Sequence, residues 1–355
     1  MIGGPKVVFL GGGSDAVPIV ARGLAMGVRP VVVDFNPSCP AASLGEFVLA
    51  SCYDVTSTLN ALQEIGAQPD GVLCAGVDAP HVAAAVAERY DLPGPDPIAA
   101  TLSQDKLLQN EVLGELVSVP LTFPGPVAHP GWVVVKPVDS RGGRGVSRVM
   151  PHRLAEAWAT AVRHSPTGRA MVQEWLDGTQ LSTESIIQNG EVLFTAIAER
   201  NYSRLEEFAP AVIEDGSDMP CPELGDPDNG GFEWQVIQAM RLAAQAIGLR
   251  TGILKGDLVW HNSRPYVVEV AARLSGGGFC SLMTPAVWGV DLVGAAIDQC
   301  LGRKPVVPRP YLRMHVCQRF RFPHRPWSHP ERGDFVLGFG TSRSVARLDA
   351  ERRLA

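Results

Sequence analysis

The sequence predicts a mixed α/β and α+β fold, in which an N-terminal parallel sheet precedes a two-lobed region built on antiparallel hairpins. Three observations predict it. Short β-type runs alternate with helical segments up to the break at Leu92-Pro93-Gly94-Pro95, the pattern of a parallel sheet covered on both faces. From Trp132 onward, apolar runs are separated by short turns instead of helices, the pattern of hairpins. The chain has 355 residues, 46% hydrophobic and 19% charged. At roughly 100–200 residues per domain, that length suits two or three lobes with sizeable cores.

The elements follow in order. Val7–Leu10 reads as a buried first strand, and Gly11-Gly12-Gly13-Ser14-Asp15 as a turn into a helix that ends near Gly27. Val31–Asp34 is a second strand, Leu59–Ile65 a helix, Gly71–Ala75 a strand and Ala79–Arg89 a helix. Asp105–Leu116 is helical, and Pro120–Pro130 is a proline-rich connection. Trp132–Lys136 and Val146–Met150 form a hairpin around a loop of Gly and Arg. A helix at Leu154–Arg163 precedes strands at Ala170–Leu176, Leu181–Ile187 and Glu191–Ala198. Ala209–Gly231, rich in Gly, Pro and Asp, is expected to be a loop before an amphipathic helix, Glu233–Ile247, stopped by Gly248. Gly252–Trp260 and Tyr266–Val270 are antiparallel strands across His261-Asn262-Ser263-Arg264, and Leu292–Leu301 is a helix. The Arg-, His- and Pro-rich tail after it is expected to be mainly solvated surface.

Composition narrows the function. With 31 Lys+Arg against 37 Asp+Glu, the formal charge is -6, which disfavours a nucleic-acid partner or a polybasic membrane anchor. No apolar run approaches the ~18 residues of a membrane helix, so no membrane partner is expected. The run at Val7–Leu10 is too short for a signal peptide. Seven cysteines without a Cys-x-x-Cys pair suit reduced thiols and a cytoplasmic location.

The first motif leaves two readings open. Gly11-x-Gly13-x-x-Ala16 follows a strand and opens a helix, and Asp34 ends the next strand. This is the layout of a dinucleotide-binding turn with an acid for the ribose. A tight turn in any doubly wound sheet has the same appearance.

A more specific set lies further on. Asp105-Lys106 opens a helix, where a lysine opposes the macrodipole unless it faces an anion. Lys136 ends a buried strand, and Ser140-Arg141-Gly142-Gly143-Arg144-Gly145 follows. Lysine is rarely buried alone, and free amides of a glycine loop can cradle phosphates. Gln173-Glu174-Trp175-Leu176 offers an apolar hinge that can hold an adenine edge. Asp257 and Glu269 lie on paired strands, and two adjacent carboxylates beside phosphates call for Mg²⁺. Arg273 precedes Ser275-Gly276-Gly277-Gly278, an arrangement for stabilising a transferring phosphoryl group. The plain alternatives are a solvated Lys106, an ordinary hairpin loop, a buried strand and a structural ion pair of Arg273 with a carboxylate.

With these residues together, the chain resembles the ATP-grasp superfamily from its first strand to about residue 300. Within it, the chain is similar to stand-alone bacterial carboxylate–amine ligases with a carbamoyl-phosphate-synthetase-type N-terminal domain. The resemblance implies a Rossmann-like domain at 1–100 and a two-lobed ATP-grasp fold after it. The small lid lobe falls at 101–170, the C-terminal lobe at 171–301 and a completing tail at 302–355. It implies ATP and Mg²⁺ as cofactors and small-molecule carboxylate and amine substrates. A homodimer is an expectation at family level only. Residue by residue, it implies that Lys106 and Lys136 contact phosphates and that the loop with Ser140, Gly142, Gly143 and Gly145 closes over them. Glu174, Trp175 and Leu176 would hold adenine, Gln180 the ribose, and Glu184 is a further candidate near the nucleotide. Asp257 and Glu269 would bind metal, and Arg273, with Lys136, would act on the transferred phosphate.

Two positions depart from the family pattern. Ala271 stands where the metal signature has Asn, and Gln180 where Glu is frequent. The implied reaction is ADP-forming amide or peptide bond synthesis. The competing readings are carboxylation with bicarbonate, an NAD(P) oxidoreductase on the Gly11–Ala16 turn, and a non-catalytic nucleotide sensor prompted by Ala271. Arg200, Arg204, Glu206 and Glu207 are candidates for substrate discrimination, against a solvated charged face.

Overall fold

The computed structural model describes residues 3–127, 129–225, 231–322 and 334–355. The N-terminal unit holds β1 (Lys6–Leu10), α1 (Ala16–Ala25), β2 (Arg29–Asp34), β3 (Glu46–Leu49), α2 (Val55–Glu64), β4 (Gly71–Cys74) and α3 (Pro80–Tyr90). Its sheet is parallel throughout, in the order β3-β2-β1-β4. Alternation along β1 explains why an unbroken apolar run is needed here. Val7 and Phe9 pack with Ile19 on one face, and Val8 and Leu10 with Leu62 and Val82 on the other. β3 has no counterpart in the sequence reading, because an edge strand with half its residues exposed carries little apolar signal.

Two short helices, α4 (Pro97–Leu102) and α5 (Lys106–Gly114), lead to the lid. The lid has β5 (Thr122–Phe123), β6 (Val133–Pro137), β7 (Ser147–Val149), α6 (Leu154–Arg163) and β8 (Ala170–Glu174). Its antiparallel sheet runs β5-β8-β6-β7. Val133 and Val135 pack towards α6, which turns Val134 and Lys136 to the opposite face.

The large lobe is one antiparallel sheet, in the order β13-β12-β9-β10-β11-β14-β15. Its elements are β9 (Thr179–Gln188), β10 (Glu191–Asn201), β11 (Gly216–Met219), α7 (Phe232–Ala246), β12 (Gly252–His261) and β13 (Arg264–Ala271). After them come α8 (Thr284–Trp288), α9 (Leu292–Cys300), β14 (His315–Phe320), β15 (Phe335–Gly340) and α10 (Arg343–Leu354). α7 covers one face through Val236 and Met240 against Leu181, Leu254 and Leu258. On the other face Ile186, Ala196 and Ile253 join one cluster with Leu292, Ile297, Val7 and Phe9. The N-terminal unit and the large lobe therefore share a core, and the ends of β1 and β4 are held against the loop after β13.

Two expectations are corrected. The loop expected over Ala209–Gly231 contains β11, whose polar residues hid it. Asp218 is buried there because Arg319, Arg343 and Arg347 reach it at 3.1, 2.8 and 2.5 Å. The tail after Leu301 is solvated surface only in part. Two of its segments, β14 and β15, extend the sheet and α10 packs on them. Most of its His- and Pro-rich stretch lies outside the described residues.

Candidate active site

A cleft of about 170 Å³ opens between the lid sheet and β9–β13. Lys106, Lys136, Arg141, Arg144 and Arg200 line it, and Lys255 reaches both cleft acids from β12. Lys106 sits at the start of α5 because Asp105 caps that helix, accepting hydrogen bonds from Leu107 N and Leu108 N. Its Nζ donates to Ser140 O at 2.7 Å, which ties the glycine loop to α5. Lys136 is buried at the end of β6. Burial pushes its ammonium down to about 8, against the opposing pull of Glu269.

The loop after β6 has free space at its tip. A side chain at Gly142 would meet nothing within 4 Å, and at Gly143 only Val212 O at 3.6 Å. Both have positive φ, 66° and 73°, which favours glycine. Arg141 lies over the Tyr53 ring at 3.6 Å and so bridges the loop to the N-terminal unit.

The acid pair forms where the register requires it. Asp257 on β12 is directly opposite Glu269 on β13. Asp257 Oδ2 meets Arg200 at 2.8 Å, and Glu269 lies 3.7 Å from Lys106 and 3.8 Å from Lys255. Burial raises the Glu269 carboxyl, but Lys106, Lys255 and Lys136 outweigh it and hold the group well below the usual range. Asp257 Oδ1 is buried without a hydrogen-bond partner, although Lys255 Nζ approaches it to 2.7 Å. The short distance marks a close ion pair, and a carboxylate oxygen has a second lone pair to offer. Mg²⁺ fits such donors, since it is commonly held by one or two carboxylates together with substrate phosphates. Among the described residues, no group of three or more His, Cys, Asp or Glu is placed to hold a metal unaided.

Glu174, Trp175, Leu176 and Gln180 also line the cleft. The Glu174 carboxylate accepts from Leu121 N at 2.8 Å, and Trp175 Nε1 donates to Asp177 at 2.6 Å. Arg148 stacks over Trp132 and Trp175, at 4.1 and 4.9 Å, and pairs with Glu206 at 2.6 Å. Of the charged candidates at 200–207, Arg200 lines the cleft, whereas Arg204 pairs with exposed Glu207.

Three expected site residues lie elsewhere. Glu184 shares a face of β9 with Gln180 but is four residues, about 13 Å, further along. There it is fully buried and accepts from Ser275 N and Oγ at 2.9 and 2.6 Å. Burial raises its carboxyl to about 7, partly offset by those bonds. Gly145 packs beneath the loop, where a Cβ would come 2.7 Å from His164. Arg273 points to the N-terminal unit and pairs with Asp78, just beyond β4, at 2.9 Å. That pair is the structural alternative for Arg273, with a partner the sequence order did not suggest. A larger cavity, about 310 Å³, lies between β4 and α9. Arg273 lines it, but none of the cleft lysines or the acid pair does.

Residues 103–277 match the family described as ATP-grasp domain. This part of the chain is an ATP-grasp domain. Carnosine synthase 1 of Gallus gallus is 25% identical over 360 aligned residues, covering 89% of this chain and 37% of the relative. The chain thus spans little more than a third of that protein. The L-amino acid ligase of Bacillus licheniformis superposes with a TM-score of 0.77 at 16% identity, covering 99% of this chain and 97% of the other. The N5-carboxyaminoimidazole synthetase of Staphylococcus aureus, solved with ADP, gives 0.77 at 14% identity and the same coverage. These two likenesses establish the fold.

Lys255 and Asp78 were missed by the sequence reading of the ATP-grasp domain. Lys255 has a signal in hindsight, two residues before Asp257 and therefore on the same strand face. Asp78 has none, because only packing of the N-terminal unit on the large lobe brings it to Arg273. Among the described residues no helix is long and apolar enough to cross a membrane.

Proposed function

We propose that the chain is an ATP-dependent ligase that activates a small carboxylate as an acylphosphate and transfers the acyl group to an amine, releasing ADP and phosphate. One observation carries this reading: lysines, an open glycine loop and a paired set of carboxylates converge on a single cleft. In this reading Lys106 and Lys136 neutralise phosphate charge, and Gly142 and Gly143 present amides over it. The 174–176 hinge holds the base and Gln180 reaches towards the ribose. Asp257 and Glu269 hold Mg²⁺, which when bound supplies charge neutralisation at the phosphates. Arg273, held by Asp78 outside the cleft lining, would have to leave that pair to support the reacting carboxylate. Positioning and electrostatics suffice for phosphoryl transfer, so no side-chain nucleophile is required.

The relative named carnosine synthase and the neighbour named L-amino acid ligase favour amide formation. The neighbour named N5-carboxyaminoimidazole synthetase favours a second reading, in which bicarbonate is the activated carboxylate. The test is phosphate release with ATP, Mg²⁺ and pooled amino and carboxylic acids, with bicarbonate as a separate pool and mass spectrometry of the products. Stimulation by a pool containing both a carboxylate and an amine, lost in Lys136→Ala, is the expected result. Release stimulated by bicarbonate alone would select the second reading. No stimulation by any pool, with nucleotide affinity unchanged in Lys136→Ala, would defeat both.

A further inference from the structure

The acid pair belongs to a block of four side chains on one face of two strands. In the register of β12 and β13, Lys255 is opposite Ala271 and Asp257 is opposite Glu269. The two pairs are neighbours on the same face, before the bulge that follows Asp257. Ala271 contributes a methyl group and no oxygen. Across from it, Lys255 sends its ammonium to 2.7 Å from Asp257 Oδ1 and 3.8 Å from Glu269 Oε1. The Lys255 side chain is only 13% exposed, so solvent competes weakly for it.

This leaves little room for a set of divalent ions. Asp257 Oδ2 is committed to Arg200 at 2.8 Å, and Glu269 Oε2 faces Lys106 at 3.7 Å. Asp257 Oδ1, buried in the block, is the oxygen that Lys255 approaches most closely. A side-chain oxygen at position 271 would have added a donor to this block; alanine leaves the space to the lysine.

We infer that Lys255 is a resident cation that takes over the neutralising role of one divalent ion, so that the nucleotide-loaded cleft holds one divalent cation instead of two. This deepens the proposed ATP-dependent reading and rests on it. Lys255 acts as a positioning residue: it sets the charge of the acid pair against the phosphates and needs no contact with the reacting atoms. The arrangement also predicts that nucleotide binds appreciably without metal, because part of the neutralising charge is built into β12.

The test counts Mn²⁺ bound per chain by electron paramagnetic resonance at saturating ADP. Wild type is expected to bind one Mn²⁺, and the double variant Lys255→Met/Ala271→Asn two. A wild-type count of two, or a double variant that still binds one, would overturn the inference. A second measurement covers a double variant that does not fold. ADP affinity is measured in EDTA and in Mn²⁺ for wild type and for Lys255→Met. The single variant is expected to lose at least about tenfold in EDTA and less than about threefold in Mn²⁺, from a charge-assisted contact of ordinary strength. Equal losses under both conditions, or none in EDTA, would overturn it. Absence of ADP binding under every condition would be a different failure, removing the nucleotide reading and this inference with it.

Discussion

Two glycine-rich turns follow strands in this chain, and their surroundings differ. In the first, Gly11 N donates to Val33 O at 2.9 Å and Gly12 N donates to Asp34 Oδ2 at 2.8 Å. Ala41 N donates to Gly12 O at 2.9 Å. A Cβ on Gly12 would lie 2.3 Å from Cys39 Sγ. Asp34, placed by the sequence to meet a ribose, also accepts from Asn36 N at 2.8 Å. Gly11, Gly12 and Asp34 spend these groups on holding the N-terminal sheet together, and only Gly13 faces open space there, with no lysine paired to it as in the second turn. In the second turn, Gly142 and Gly143 face open space beside Lys106 and Lys136. Similar local sequence serves packing in one place and leaves groups available to a ligand in the other.

The largest expected effect is on the open turn. Lys136→Ala should lower substrate-stimulated phosphate release by about 10²-fold or more, as removing a charge from a preorganised site does, with little change in melting temperature. Gly12→Ala should do the reverse. Overpacking against Cys39 should cost about 1–3 kcal/mol of stability, read by denaturant unfolding, while ADP affinity of the folded protein stays unchanged. Loss of ADP affinity in Gly12→Ala would break the comparison.

The third effect is in pH. Lys136 ordinarily titrates near 10.5 and is pushed down to about 8 in the fold. Its charge, and with it ADP affinity, should fall as pH rises through about 8, at most about tenfold per unit for one proton. Titration of ADP affinity from pH 6.5 to 9.5 checks this, and the slope should vanish in Lys136→Met. The stability term has the opposite sign. Between about 8 and 10.5 the unfolded chain binds the extra proton, so the contribution of this group to stability rises with pH there. The smallest effect is expected for Gly142→Ala. Its side chain meets open space, but φ of 66° strains a non-glycine residue by about 1–2 kcal/mol. That strain should appear as a loss of stability of the same size in denaturant unfolding, with at most a severalfold rise in KM for ATP.

Much of the architecture was legible because it rests on local chemistry. The buried run of β1, the Lys136 strand, the β12–β13 hairpin and its Asp257–Glu269 pairing all follow from periodicity and turn residues. β11 and the tail strands were not legible. Their polar residues are stabilised by distant arginines: Arg319 and Arg343 follow Asp218 by 101 and 125 positions. No local pattern encodes such a partner. Glu184 was misplaced for a related reason. Strand periodicity assigns a face correctly but not the point along it where the 275–278 loop covers the sheet.

By itself, then, the sequence determined which residue types stand at strand ends, on paired strand faces and in tight turns, since those depend on neighbours a few residues apart. The tertiary structure alone decided which of them share a cleft. It consumed Gly11, Gly12 and Asp34 in packing, bound Arg273 to Asp78, and set Lys255 against the acid pair. The physical reason is that charge acts through space. The state of a carboxylate or an ammonium is set by burial and by groups within a few ångströms, and those groups come from segments that only folding brings together.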